Sequence, residues 1–537
     1  TIDTVNANID TTFVPGAVAT ITLSVPVNDA TADGADTNQV DALVQDANGN
    51  AITGAAVVFS STNGATILSS TVNTGADGIA STTLTHTQSG VSNVVATIDT
   101  VNANIDTTFV PGAVATITLS VPVNDATADG ADTNQVDALV QDANGNAITG
   151  AAVVFSSTNG ATILSSTVNT GADGIASTTL THTQSGVSNV VATIDTVNAN
   201  IDTTFVPGAV ATITLSVPVN DATADGADTN QVDALVQDAN GNAITGAAVV
   251  FSSANGADII APTMNTGVNG VASTLLTHTV AGTSNVVATI DTVNANIDTT
   301  FVAGAVATIT LSVPVNDATA DGADTNQVDA LVQDANGNAI TGAAVVFSSA
   351  NGATILSSTM NTGVNGVAST LLTHTVAGTS NVVATIGSIT DNIDTVFVAG
   401  AVATITLSVP VNDATADGAD TNQVDALVED ANGNAITGAA VVFSSTNGAT
   451  ILSSTVNTGA DGIASTTLTH TQSGVSNVVA TIDTVNANID TTFVAGAVAT
   501  ITLSVPVNDA TADGADTNQV DALVQDANGN AITGAAV

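Results

Sequence analysis

The chain has no lysine and no arginine among its 537 residues, whereas aspartate and glutamate together number 47. Nucleic acids and anionic lipids are bound mainly through lysine and arginine, so the sequence excludes both as partners. The formal charge of −47 keeps copies of the chain apart unless salt or divalent cations screen it. Two interpretations stay open: the acidic bias only aids solubility in a salty medium, or it has a specific role.

Cysteine, tryptophan and tyrosine are also absent. Without cysteine no disulfide forms, and the redox compartment cannot be inferred. Specific protein interfaces depend on tryptophan, tyrosine and arginine anchors, so this chain is a poor adhesive tip, although recognition through pairing at a strand edge stays open. No apolar run approaches about 18 residues, so no membrane-spanning helix is predicted. The hydrophobic content of 44% with a mean hydropathy of +0.40 is nevertheless too high for a disordered chain.

What the sequence does contain is one unit written repeatedly. The stretch "DANGNAITGAA" begins at Asp46 and recurs at intervals of 96 residues through Asp526, and residues 97–192 repeat residues 1–96 without change. This period fits a whole domain of about 100 residues rather than a solenoid unit of roughly 20–50. The chain begins and ends inside a repeat, so we expect a segment of a longer protein.

The phenylalanine that closes each unit sets the predicted boundaries. We expect the end of a preceding repeat at 1–13, complete repeats 1 to 5 and the start of a further repeat at 494–537. The five complete repeats are predicted at 14–109, 110–205, 206–301, 302–397 and 398–493. Links of only a few residues permit little bending, and strands of about 10 residues make each domain roughly 35 Å long. The sequence therefore predicts an extended rod.

Within one repeat, the patterns are those of β-strands. Residues 37–46 alternate apolar Val40, Ala42 and Val44 with polar neighbours, which is the period of a half-buried strand. Asn48-Gly49 predicts a hairpin with a type I′ turn. Apolar residues at helical spacing are missing. We predict an all-β immunoglobulin-like sandwich of about seven strands, at 17–27, 37–46, 51–61, 65–71, 79–87, 92–99 and 105–110.

These elements carry a family resemblance. "ADG" precedes the second strand, "V-x-D-x-x-G-N" and "G-x-x-V-x-F" follow, and then "T-x-x-x-G-x-A-x-x-x-L" leads to the closing Phe109. In this order they resemble the bacterial Ig-like domain of group 1, found in tandem in invasin- and intimin-type surface proteins and in giant adhesins. The resemblance covers essentially every repeat. It implies the sandwich fold and a bacterial, extracellular setting, and it implies mostly spacer domains that carry a binding tip elsewhere.

Aspartates supply the only candidate metal ligands. Asp29, Asp33 and Asp36 fall in one loop, and calcium takes six to eight oxygen ligands. A solvated acidic loop and a weak calcium site both remain open, and no cofactor is required. Residues 46–57 begin like an EF-hand loop, but Ala51 and Val57 stand where glycine and glutamate are needed. We interpret this stretch as an ordinary turn and assign no metal-binding residues.

Histidine is the remaining reactive side chain, with one copy per complete repeat. His86 and its equivalents stand among threonine hydroxyls in "LTHT", yet no G-x-S-x-G nucleophile elbow occurs. His86 is predicted to be a partly buried structural residue at a strand end. We assign no catalytic or cofactor-binding residues and expect no enzymatic activity.

The sequence therefore predicts a structural role. We expect an extended extracellular stalk or filament of identical domains at the bacterial cell surface, resistant to trypsin-like proteases because no lysine or arginine is present. The expected partners are neighbouring copies of the same domain, joined laterally or end to end, with divalent cations as bridges. The alternative is the spacer of a cell-anchored adhesin, rigidified by calcium, whose binding tip lies outside this sequence.

Overall fold

The computed structural model describes residues 3–4, 6 and 8–537, and all regular structure in them is β. No helix in this part of the chain could cross a membrane. The predicted end of a preceding repeat, 1–13, includes positions 1, 2, 5 and 7, which lie outside the described residues. Residues 8–13 form no strand, and Phe13 is 96% exposed.

Repeat 1 is a sandwich of two sheets. The strands are β1 (Val18–Val27), β2 (Ala30–Thr31), β3 (Asn38–Asp46), β4 (Ala56–Ser61), β5 (Thr66–Ile67), β6 (Thr71–Asn73), β7 (Ile79–Thr85), β8 (Gly90–Ile98) and β9 (Val101–Val110). One sheet has the order β1-β3-β7-β5 and the other β2-β9-β8-β4-β6. Every pairing is antiparallel except that of β2 with β9, where Ala30 pairs with Phe109 in parallel. The immunoglobulin-like sandwich predicted from the sequence is therefore confirmed.

Repeats 2 to 5 reproduce these two sheets. Repeat 2 has β10 (Thr116–Val123), β11 (Ala126–Thr127), β12 (Asn134–Gln141), β13 (Ala152–Ser157), β14 (Thr162–Ile163), β15 (Thr167–Asn169), β16 (Ile175–Thr181), β17 (Gly186–Ile194) and β18 (Val197–Val206). Repeat 3 has β19 (Thr212–Val219), β20 (Ala222–Thr223), β21 (Asn230–Gln237), β22 (Ala248–Ser253), β23 (Asp258–Ile259), β24 (Thr263–Asn265), β25 (Val271–Thr277), β26 (Gly282–Ile290) and β27 (Val293–Val302).

The remaining strands follow the same order. Repeat 4 has β28 (Thr308–Val315), β29 (Ala318–Thr319), β30 (Asn326–Gln333), β31 (Ala344–Ser349), β32 (Thr354–Ile355), β33 (Thr359–Asn361), β34 (Val367–Thr373), β35 (Gly378–Ile386) and β36 (Ile389–Val398). Repeat 5 has β37 (Thr404–Val411), β38 (Ala414–Thr415), β39 (Asn422–Glu429), β40 (Ala440–Ser445), β41 (Thr450–Ile451), β42 (Thr455–Asn457), β43 (Ile463–Thr469), β44 (Gly474–Ile482) and β45 (Val485–Val494). A last pair, β46 (Thr500–Val507) and β47 (Gln519–Gln525), begins a further repeat.

The core of each sandwich is built from small side chains and two phenylalanines. Val40, Ala42 and Val44 of β3 are fully buried, as the alternation predicted. Phe59 and Phe109 are 2% and 1% exposed and fill the space between the sheets. Burial of one such ring contributes about 2–3 kcal/mol. These two rings per repeat are therefore the largest single contributions to a core otherwise made of alanine, valine, leucine and isoleucine.

The structure differs from the sequence prediction at two connections. The segment 65–71 divides into β5 and β6, which pair in different sheets because β5 joins β7 and β6 joins β4. The last strand begins at Val101 rather than Ile105, since Asp99 adopts a left-handed φ of 51° and allows β8 to turn into β9 within two residues. Asparagine and aspartate tolerate this conformation better than most residues, and this signal was missed.

The turn at Asn48-Gly49 is also not the predicted type I′ hairpin. Among the described residues outside glycine, only aspartates have a positive φ, and Asn48 is not one of them. A type I′ turn needs positive φ at both central residues. The two flanking strands, β3 and β4, lie in different sheets. Beside the turn the chain still pairs as a short antiparallel hairpin, in which Gln45 bridges Ala51 and the Asp46 N–H donates to the Asn50 carbonyl at 3.0 Å, and it then crosses to the other sheet.

Candidate functional site: the junctions between repeats

Residues 111–115 connect β9 of repeat 1 to β10 of repeat 2, and the loop that follows β12 closes over them. This loop, residues 142–146, and its equivalents at 46–50, 238–242, 334–338, 430–434 and 526–530 are called junction loops below. The Gly112 N–H in the link donates a 2.9 Å hydrogen bond to Asp142 Oδ2. The chain between two sandwiches is thereby tied to the second sandwich.

Asp142 organises the loop around its carboxylate. Asp142 Oδ1 accepts hydrogen bonds of 2.9 Å from the backbone N–H groups of Asn144 and Asn146. Besides the bond from Gly112, Asp142 Oδ2 accepts one from Asn146 Nδ2 at 2.9 Å, and the residue is only 4% exposed. Burial raises the pKa of Asp142, but the donors from Gly112 and Asn146 outweigh it and hold the pKa below its ordinary value. The loop is therefore built around an ionised carboxylate.

Two asparagines of the loop reach across to the preceding repeat. Asn144 Nδ2 donates to the Ala32 carbonyl at 2.9 Å, and Asn146 Nδ2 donates to the Thr87 carbonyl at 2.9 Å. Asn146 Oδ1 accepts a 2.8 Å bond from the Ser89 N–H. Asn146 is 8% exposed, so these bonds lie out of solvent, where an unpaired amide would be costly. The junction is a polar contact in which both ends of one amide are satisfied by the neighbouring domain.

The same contacts occur at all five junctions of the chain. The side-chain amides equivalent to that of Asn144 donate to the equivalent carbonyls at 2.8–2.9 Å. The pairs are Asn240 with Ala128, Asn336 with Ala224, Asn432 with Ala320 and Asn528 with Ala416. The equivalents of Asn146 accept N–H donors from Ser185, Ala281, Ala377 and Ser473 at 2.7 Å. Because alanine replaces serine at two of these positions, the bond depends on the backbone alone. Each repeat therefore binds the preceding repeat through the same hydrogen bonds.

The link itself passes close to both domains. A Cβ built on Gly112 would lie 3.4 Å from Thr31 Cγ2 of repeat 1 and 3.6 Å from Asp142 Cβ of repeat 2. Contacts of that length are ordinary and Gly112 has no positive φ, so a methyl group would fit here and neither the space nor the backbone requires glycine. The link begins with Pro111 or Pro207 at two junctions and with Ala303, Ala399 or Ala495 at three. Residue type at this place does not change the hydrogen bonds around it.

The acidic loop named as a calcium candidate uses its carboxylates locally. Asp33 Oδ1 accepts the N–H groups of Ala35 and Asp36 at 2.7 and 2.8 Å, and the donor from Asp36 is the main cause of the lowered pKa of Asp33. Within the described residues, no three carboxylate or imidazole side chains lie close enough together to hold a metal ion. Asp29, Asp33 and Asp36 are thus not brought together, and calcium binding stays a prediction.

His86 follows the end of β7 and is half-buried. Its ring meets the edge of Phe109 with a centroid distance of 5.7 Å and an interplanar angle of 83°. The other four histidines repeat this contact at 5.7 Å with their own closing phenylalanines. The arrangement fixes the imidazole against the core.

The sequence did not predict that the junction loop contacts the preceding repeat, because the residues of the loop are also those of an ordinary turn. The signal that could have found it is the identity of "DANGNAITGAA" in every copy, including copies whose other loops differ. A turn needs only Asp46 and Gly49. Among the described residues, the side chain of Asn50 donates only within its own loop, to Asp46, whereas the equivalent Asn146 also reaches the preceding repeat.

Comparison with known proteins agrees with the fold. The family model described as "Bacterial Ig-like domain (group 1)" matches residues 20–110, 116–206, 212–302, 308–398 and 404–494. The inverse autotransporter adhesin YeeJ of Escherichia coli K12 is 29% identical over 494 residues, which are 87% of this chain and 21% of that protein. The chain therefore spans about a fifth of that relative.

Solved structures of adhesins resemble parts of the chain. The E. coli adhesin FdeC is 24% identical, with a TM-score of 0.42, and covers 54% of this chain and 100% of its own. Invasin, described as a bacterial integrin-binding protein, is 22% identical with a TM-score of 0.37 and covers 74% of this chain and 82% of its own. InvD of Yersinia pseudotuberculosis is 23% identical with a TM-score of 0.39, covering 53% and 97%.

Proposed function

The chain belongs to the bacterial Ig-like domain (group 1) family, and on that premise we propose that its repeats form an extended extracellular stalk or filament. The observation that carries the proposal is the junction: Asn144 and Asn146 bind the carbonyls of Ala32 and Thr87, and this contact recurs five times. A contact repeated without variation adds one fixed step per domain. In this role the repeats supply the length and the stiffness of the stalk.

The charge supports the same role. All complete repeats are acidic and none carries lysine or arginine, so every domain repels its neighbours except through the uncharged groups that meet at the junction. Asp142 is the exception, and its negative charge is stabilised locally by N–H donors. Neighbours along the chain are held by asparagine amides, while domains of other copies meet acidic faces. This arrangement favours a single straight rod over an aggregate.

Electron microscopy of the full chain, with and without calcium, tests the proposal. We expect single rods of constant length and a small-angle X-ray scattering profile of a stiff rod. The matched variant replaces Asn146, Asn242, Asn338, Asn434 and Asn530 by aspartate, which keeps the size of each side chain and removes the donor. We expect a bent, flexible string of beads for the variant. A wild-type chain as flexible as the variant would contradict the proposal.

A second candidate is the spacer of a cell-anchored adhesin. It is favoured by the similarity to an inverse autotransporter adhesin, of which the matched region is 21%. In this case the repeats project a binding module, and we expect a protein shortened by two repeats to bind with unchanged affinity at a shorter reach. Loss of binding by the shortened protein would contradict the spacer role and place recognition in the repeats.

Under either proposal the chain lies at the bacterial surface and has no catalytic task. Lateral association of copies through divalent cations remains a separate prediction. Electron microscopy of the rods at increasing calcium concentration tests it, with the same chain carrying Asp33→Asn as the control. We expect rods to thicken with calcium if the cations bridge copies. Rods of unchanged width at millimolar calcium would contradict lateral bridging.

A further inference from the structure

Each complete repeat has a second Asn-Gly pair, in the loop between its fourth and fifth strands. The pairs are Asn63-Gly64, Asn159-Gly160, Asn255-Gly256, Asn351-Gly352 and Asn447-Gly448. A threonine precedes the pair in repeats 1, 2 and 5, whereas Ala254 and Ala350 precede it in repeats 3 and 4. The chain therefore contains two versions of one exposed loop.

The threonine changes the surroundings of the asparagine amide. Thr62 Oγ1 donates a 2.9 Å hydrogen bond to Asn63 Oδ1, and the equivalents from Thr158 and Thr446 measure 2.7 and 2.9 Å. Asn63 Nδ2 donates to the Val91 carbonyl at 2.8 Å, which holds the amide in place. Asn255 keeps this second bond at 2.9 Å but has only a methyl group before it. One hydroxyl thus distinguishes the two versions.

An asparagine before glycine can react with its own backbone. The glycine nitrogen, after losing its proton, attacks Cγ of the asparagine, and a tetrahedral intermediate forms with negative charge on Oδ1. The Cγ–Nδ2 bond then breaks and ammonia leaves with the proton, giving a five-membered succinimide. Water opens this ring to aspartate or isoaspartate, so the net change is one water consumed and one ammonia released. A hydroxyl donating to Oδ1 stabilises the charged intermediate, as an oxyanion hole does.

The backbone of this loop leaves the attacking nitrogen free. The Gly64 N–H donates to no hydrogen-bond acceptor within the described residues, and Gly64 has a φ of +84° that only glycine adopts easily. In the junction loop, by contrast, the Gly49 N–H donates to the Asp46 carbonyl at 3.0 Å. The Gly145 N–H is held in the same way by Asp142 at 3.2 Å. A nitrogen engaged as a donor is a poorer nucleophile, so the junction pairs are protected.

We propose that Asn63, Asn159 and Asn447 are sites of spontaneous deamidation, activated by the hydroxyl of the threonine before each. Asn255 and Asn351 are the slow versions. The neighbouring histidine does not separate the two classes, because its Cε1 lies 3.9 Å from the Cβ position of the loop glycine in every complete repeat. The product carboxylate cannot donate to the Val91 carbonyl. Deamidation therefore releases the loop from β8 and adds one negative charge per site.

Mass spectrometry of the aged full chain tests the proposal. The folded chain is kept at neutral pH and 37 °C, and a protease that cleaves before aspartate then releases residues 46–76, 238–257 and 334–390 from the unreacted chain, whereas each site converted to aspartate gains a cleavage point of its own. The first peptide is shared by the threonine repeats and the others come from the alanine repeats, and fragmentation separates the loop pairs from the junction pairs and, within 334–390, from the further pair Asn365-Gly366. We expect the threonine class to react about fivefold faster, the ratio that one hydrogen bond supplies. A parallel sample in urea provides the unfolded reference.

Substitutions isolate the hydroxyl. Thr62→Val, Thr158→Val and Thr446→Val together should lower the rate to that of the alanine class, and serine at the same positions should restore it. Ala254→Thr and Ala350→Thr should raise the rate in repeats 3 and 4. Equal rates in the folded wild type would overturn the proposal. A rate difference that persists unchanged in urea would also overturn it, because the cause would then be local sequence and not the folded loop.

Discussion

The junction loop of repeat 1 and that of repeat 2 have the same sequence in different surroundings. In both, the aspartate is 4% exposed and caps the loop, with Asp46 accepting N–H bonds from Gly16, Asn48 and Asn50. Asn50 is exposed, whereas Asn146 is 8% exposed between two domains. The loop therefore has its bound shape before it meets a neighbour. Docking of one repeat on the next therefore costs little backbone conformational entropy. It requires only that the side-chain amides of Asn144 and Asn146 find hydrogen-bond partners.

Removing the cap should have the largest effect. Asp142→Ala, made together with Asp238→Ala, Asp334→Ala, Asp430→Ala and Asp526→Ala, leaves N–H groups of the link and the loop unpaired. We expect the free energy of unfolding to fall by about 2 kcal/mol per repeat, as for buried donors that lose a charged acceptor. Urea unfolding followed by circular dichroism measures it. Asp46→Ala is the matched control in the undocked loop, and it should leave the flexibility of every junction unchanged.

Changing only the docking amide should loosen one junction without unfolding a domain. Asn146→Asp places a second carboxylate against Asp142 and the carbonyls of Thr87 and Ala32, so repulsion replaces attraction. Because the chain lacks cysteine, Ser60→Cys and Ser156→Cys allow fluorescent labels on the exposed faces of repeats 1 and 2. We expect a broadened distribution of energy-transfer efficiency. Asn50→Asp should leave this distribution narrow, and equal broadening by both substitutions would contradict the comparison.

Acid should weaken the docked and the undocked loops through the same carboxylate. The donor from Asn530 lowers the pKa of Asp526 to about 2, and the pKa of Asp46 also lies below its ordinary value, first because of the donor from Asn50. A lowered folded pKa means that the stabilisation is present above pH about 4 and is lost as the pH falls through the folded value.

The labelled pair measures this pH dependence. We expect the distribution of energy-transfer efficiency to stay narrow at pH 5 and to broaden as the pH falls from about 4 towards 2. The other aspartates become neutral over the same range and repel one another less, which by itself favours compaction. Broadening that begins above pH 5 would contradict a carboxylate with a lowered pKa.

The serine of the docking surface should contribute almost nothing. Ser89 donates only its backbone N–H to Asn146, and alanine serves equally at Ala281 and Ala377. We expect Ser89→Ala to change the free energy of unfolding by less than about 0.5 kcal/mol and to leave the energy-transfer distribution unchanged. A measurable loosening would show that the hydroxyl takes part in the junction.

The sandwich could be predicted from the sequence because the alternation of apolar and polar residues along a strand is a local pattern. The alternation at Val40, Ala42 and Val44 requires a strand with one buried face, and these three residues are fully buried. Phe59 and Phe109 are the only phenylalanine, tyrosine or tryptophan residues of repeat 1, and both are buried in its core. The prediction failed where a short segment changes sheet, as in β5 and β6. Which sheet a two-residue strand joins depends on distant partners rather than on its own residues.

By itself, the sequence determined the all-β fold, the 96-residue unit and the absence of lysine and arginine, because composition and alternation act through burial, and its motifs resemble the family whose model matches the chain. Only the tertiary structure decided that Asn144 and Asn146 serve two domains at once. Their local pattern is that of an ordinary turn, and the carbonyls of Ala32 and Thr87 that they meet lie 112 and 59 residues away in the chain. A side-chain amide that donates to a backbone carbonyl places no requirement on the acceptor's side chain. The contact therefore cannot be predicted from a sequence pattern.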